Sequence, residues 1–156
     1  MALIFVVPFI ITQGNTVPVT VDKTLYYSVL AGDDLDALNS MLTKFNQITF
    51  PEKEAYEGAL LMKKAGLVKK LKEKLQSFKS GRKKLEDAIN NSKGNVEYRF
   101  LRLIIQENAP NIVRYKTNLK DDTEIVRTSY KNLSPAIQQV VKDYSKKSAF
   151  LKTADL

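Results

Sequence analysis

Lysine dominates the chemistry this chain could perform. Ten basic residues (Lys63, Lys64, Lys69, Lys70, Lys72, Lys74, Lys79, Arg82, Lys83 and Lys84) fall between positions 63 and 84, against a single acid, Glu73. The whole chain carries a net charge of +8, so everything outside this band is close to neutral. On a helix that advances about 100° per residue, Lys69, Lys72, Gln76, Lys79 and Lys83 share one flank, away from a stripe of Leu71, Leu75 and Phe78. Such a row of ammonium groups suits the phosphates of nucleic acid or lipid head groups, or the carboxylates of an acidic polysaccharide, without base readout. The competing account is a solvated face that keeps a long helix soluble. With one acid in the band, intrahelical ion pairs cannot offset the repulsion, and that gives a contact between Lys69, Lys72, Lys79, Lys83 and a polyanion its weight. Arg82 points instead toward the apolar stripe, where it either snorkels or marks a bend at Gly81.

A second polar set is Glu97, Arg99, Arg102 and Gln106, carried on an otherwise apolar stretch. Arg99 and Arg102 each share neighbouring turns with Gln106, whereas Glu97 and Arg102, five apart, do not face one another well. A guanidinium taken into a core needs partners, so the expectation is a structural network that ties helices together through carboxylates or helix-end carbonyls.

Enzymatic chemistry has few residues left to use. The chain contains no histidine, cysteine or tryptophan. A disulfide framework, a thiol nucleophile, an imidazole base and the usual nitrogen- and sulfur-ligated zinc sites are therefore excluded. Asp33, Asp34 and Asp36 do not follow calcium-loop spacing, and Asp121, Asp122 and Glu124 stand where a helix start favours acids. There is no glycine-rich phosphate loop, nucleophile elbow or dinucleotide fingerprint. No catalytic residue, metal site or cofactor is expected. A carboxylate pair from distant segments, performing a hydrolysis, is the one enzymatic alternative.

Helices must position these groups. Apolar residues make up 44% of the chain, with only six glycines and five prolines, and from Asp22 onward they recur at spacings of three and four. The first helix spans about Lys23 to Ala31 and stops at Gly32; Asp33 or Asp34 caps a second bearing Leu35, Leu38, Met41, Leu42 and Phe45. Pro51 marks the first position of a third, whose Ala55, Gly58, Ala59, Met62, Ala65 and Gly66 form a face small enough for close helix packing. The fourth runs from about Leu67 to Ile89, with Gly81 a candidate interruption. The fifth, Val96 to Asn108 behind an Asn95 cap, is apolar over so much of its circumference that it reads as central. A short sixth carries Ile112, Tyr115 and Leu119, a seventh opens at Asp121 with Ile125, Val126 and Tyr130, and an eighth opens at Ser134-Pro135. The expected fold is all-α: antiparallel helical hairpins, about eight helices, arranged as a short superhelix or a closed bundle.

Tyr26 to Phe45 (YYSVLAGDDLDALNSMLTKF) looks like the helix, Gly-Asp turn and helix of superhelical repeat proteins. Glu54 to Ala65 (EAYEGALLMKKA) is similar to the second half of a tetratricopeptide hairpin, with Tyr56, Gly58, Ala59 and Ala65 at its aromatic and small positions. Glu97 to Pro110 (EYRFLRLIIQENAP) and the tail ending Asp143-Tyr144-Ser145-Lys146-Lys147 resemble a group of small exported bacterial helical proteins of unknown function. These resemblances imply architecture and export, and no catalytic residue.

Met1 to Ile11 (MALIFVVPFII) has no charged side chain and exits through Thr12, Gln13 and Gly14. It is too short for a transmembrane span and suits the apolar part of a secretory signal, although no lysine or arginine precedes it and Pro8 interrupts it. The alternative is a hairpin pairing Leu3–Ile11 with Val17–Val21. The organisation expected is a signal-like segment and linker over 1–21, then a single all-helical domain over 22–156. The function expected is an exported, periplasmic or secreted, non-catalytic binding module that uses grooves between hairpins and the lysine flank to meet a protein, an anionic surface or a polysaccharide. The alternative is a cytoplasmic nucleic-acid-binding protein.

Overall fold

The computed structural model describes residues 19–156; both readings of the N-terminal segment, signal and hairpin, fall on residues outside that range or at its edge. Among the described residues there is no strand, and seven α-helices form: α1 Lys23–Ala31, α2 Leu35–Asn46, α3 Lys53–Leu67, α4 Leu71–Asn91, α5 Val96–Asn108, α6 Leu119–Ser129 and α7 Pro135–Ser145.

Short polar side chains start three of them. The Asp22 carboxylate accepts the Leu25 amide, Asp34 accepts those of Asp36 and Ala37, and Asn95 accepts that of Tyr98, each satisfying a first-turn donor that has no partner within the helix. α3 begins at Lys53, two residues beyond the proline expected to open it.

Where about eight helices were expected, seven form among the described residues, and the difference lies between α5 and α6. Pro110 is followed by one 3-10 turn, Asn111–Val113, and Arg114 then takes a left-handed backbone with φ of 46°, which stops helical propagation. Tyr115 is drawn inward from there, its ring buried and its hydroxyl donating to the Glu86 carboxylate on α4. α6 consequently starts at Leu119 and not at Asp121.

The tightest packing is between α3 and α4, an antiparallel pair joined by Val68–Lys70. α4 is a single helix of 21 residues that passes through Gly81 without a break. Gly81 is the place where α4 touches α3: a Cβ there would lie 2.5 Å from the Gly58 carbonyl oxygen, and one on Gly58 would lie 2.8 Å from the Gly81 oxygen. The small face of α3 meets a small residue on α4, so the two backbones come into direct contact.

One contiguous apolar core draws on all seven helices. Its aromatic end stacks Tyr26 on Tyr56 with centroids 4.0 Å apart, flanked by Phe45 and Phe50. α5 is central: Phe100, Leu101 and Leu103 are fully enclosed, and three of its polar side chains, Glu97, Arg102 and Gln106, are buried beside them. α7 packs against α1, bringing the last helix back to the first described one.

Candidate functional site

Three of the four lysines of the row stand on α4 and the fourth precedes it. Lys69 lies in the linker between helices, because α3 ends at Leu67 and the extended, buried Val68 interrupts the helical path before α4 begins at Leu71. Lys72, Lys79 and Lys83 are exposed on α4, and Lys83 is 2.5 Å from the Asp87 carboxylate. Other members of the band are tied to α1–α2, α3 and α4 acids: Lys63 to Asp33 at 2.8 Å, Lys64 to Glu73 at 3.5 Å, Lys84 to Glu54 and Glu57 at 2.9 and 3.0 Å. Arg82 neither bends α4 nor reaches the core; its guanidinium lies over the Tyr115 ring, 4.7 Å from the centroid.

The polar set on α5 separates into three. Arg102 grips Asp122 of α6 in a two-pronged pair, at 2.7 and 2.8 Å, and places its third nitrogen 2.8 Å from Glu86 of α4; Arg99 approaches the same Asp122 at 3.5 Å. Gln106 meets neither arginine and instead exchanges two hydrogen bonds with Asn118, just before α6. Glu97, on another side, receives Lys23 at 2.6 Å and the hydroxyls of Tyr27 and Tyr56. Burial, with the Glu97 charge adding to it, holds the Tyr26, Tyr27 and Tyr56 hydroxyls well above their ordinary pKa. Asp122 therefore does more than decorate a helix start: it is the buried counter-ion of Arg102. Glu86, Tyr115 and Asp122 escaped sequence reasoning because their partners are 16 to 29 residues away.

Among the described residues there is a groove of about 1230 Å³. This exceeds the roughly 300–1,000 Å³ usual for small-ligand sites. One wall is the end of α3 and the first half of α4; the other is the end of α5, the Asn111–Val113 turn and α7, with α1 closing one end. Buried Tyr27, Leu30, Met62 and Ile105 form its floor. Its lips are apolar and wet: Leu71, Leu75 and Ile112 are 70%, 50% and 89% exposed. Leu71 and Leu75, which share their stripe with Phe78, line this opening and are not covered by the core.

Charge around the groove is one-sided. Lys74, Lys79, Arg82 and Lys147 line it and have no carboxylate within ion-pair distance among the described residues. The lining carboxylates are Asp33 and Asp143. A hydrogen bond from Lys63 holds Asp33 below the usual carboxylate range, and bonds from Gln139 and Lys146 do the same for Asp143. Of the lysine row Lys69, Lys72, Lys79 and Lys83 and the polar set on α5, Lys79 alone lines the groove.

The chain matches no known protein family, no curated protein and no solved structure. Among the described residues, no helix is long and apolar enough to cross a membrane.

Proposed function

We propose that this chain is an exported, non-catalytic binding module whose groove holds an apolar chain bearing an anionic head group. One observation carries the reading: a groove with a largely apolar lining whose charged residues without an ion-pair partner among the described residues, Lys74, Lys79, Arg82 and Lys147, are all positive. Burial of a hydrocarbon against Tyr27, Leu30, Met62 and Ile105 supplies the driving force, at about 25 cal/mol per Å². Lys74, Lys79 and Arg82 on one wall and Lys147 on the other fix the direction of the head group. The two carboxylates that line the groove, Asp33 and Asp143, are each paired with a lysine, Lys63 and Lys146, which supports a binding reading over a hydrolytic one. The helices are read as antiparallel hairpins closed into a bundle, a reading supported by the contact of α7 with α1.

Palmitate should displace an environment-sensitive fluorescent fatty acid from the protein with saturation at one equivalent, and the uncharged alcohol of the same length should bind about tenfold more weakly. Gly66 lines the groove and a Cβ placed on it meets nothing within 4 Å, so Gly66→Phe should narrow the groove and weaken displacement without unfolding the chain. Absence of saturable binding to the wild-type protein would end this reading.

A further inference from the structure

We infer that the mouth of the groove docks on an anionic phospholipid bilayer, so that the ligand passes between membrane and trough without crossing water; this rests on the proposed function above. The apolar lips are the first observation. A solute sunk in the trough would leave Leu71 and Ile112, 70% and 89% exposed, in water. They become useful when a larger apolar phase lies against the opening. The second observation is the charge beside them. Lys69 and Lys70 fill the linker, and Lys72 and Lys74 follow within the first turn of α4, on either side of Leu71. Glu73, the acid among them, is turned to Lys64 at 3.5 Å. Aliphatic tips embedded in a cluster of lysines are the arrangement that lets a protein insert shallowly into hydrocarbon while its ammonium groups meet lipid phosphates.

Charge also decides against a second copy of this chain as the occupant, because the same lysine cluster would face its own image. A partner protein would need an acidic rim around an apolar ridge and would leave the protein indifferent to vesicles.

Co-sedimentation with phosphatidylcholine vesicles, with and without phosphatidylglycerol, tests the inference. The full chain should bind the anionic vesicles, lose that binding as salt is raised, and bind neutral vesicles weakly. Leu71→Ser with Ile112→Ser should reduce vesicle binding at least tenfold, and both sites are exposed enough that circular dichroism should be unchanged. Replacing Lys69, Lys70 and Lys72 by Gln should reduce it roughly 100-fold. The Lys69, Lys70 and Lys72 variant, whose residues do not line the groove, should still bind palmitate in solution, whereas Gly66→Phe should weaken palmitate binding and keep the vesicles. A wild-type protein that binds palmitate but ignores anionic vesicles would overturn the docking and leave the groove standing; one that binds vesicles but never palmitate would do the reverse. Vesicle binding undiminished in both surface variants would also overturn the docking.

Discussion

At Gly81 an added Cβ would also lie 2.8 Å from the Met62 amide nitrogen, and at Gly58 it would lie 2.7 Å from that of Leu85. The obstructing atoms are backbone, which cannot swing aside as a side chain can. Gly58→Ala and Gly81→Ala should each destabilise the protein by about 1–3 kcal/mol, seen as a lower urea midpoint at unchanged slope. Gly66 has the opposite prospect: with open space around it on a helix, Gly66→Ala should stabilise by about 0.5–1 kcal/mol. Sequence alone cannot separate these three glycines. A glycine within a helical pattern reads as a weak point, and only the identity of what lies opposite turns it into a contact. The small face of α3 was legible because its residues share a period; the single matching residue on α4 has no period to betray it.

Among the elements, α5 joins its neighbours by charge as well as by packing. Arg102 is 4% exposed and Asp122 fully enclosed, and the guanidinium spans from α6 to Glu86 on α4. Removing one partner strands a buried charge, so Arg102→Ala or Asp122→Ala alone should cost about 3–5 kcal/mol. The double variant should cost clearly less than their sum in chemical denaturation, because neither charge is then left alone. That buried arginines on this helix need partners follows from composition. Which carboxylates serve does not, since the chain loops through a left-handed Arg114 before α6 returns to supply one. The same loop explains the helix count: Pro110 and Ile112 read locally as a helix start, and burial of Tyr115 against Glu86 prevails over that local preference.

Over the whole molecule, the three buried tyrosines at the α1–α3–α5 junction couple stability to alkaline pH. Their folded pKa values lie above the unfolded value of about 10, so the native state keeps protons that the unfolded chain gives up. Their contribution is therefore complete below about pH 10 and declines as pH rises further. Thermal melts should show a fall in midpoint beginning near there, and the ultraviolet signal of phenolate should appear together with loss of helix by circular dichroism. The all-helical class was readable from apolar spacing, and the basic band from counting. The groove was not, because its lining comes from five helices and the Asn111–Val113 turn, and the exposed Leu71 and Leu75 carry the same spacing as core residues.

The contact between Gly58 and Gly81 has one more consequence. Two main chains in touch leave little room for α3 and α4 to slide past one another. The facing wall, α7 and the turn at Asn111–Val113, is held through side chains. On the binding reading proposed above, guests of different girth would then be accommodated by movement of α7 and that turn, with α3 and α4 serving as the ruler against which they are measured.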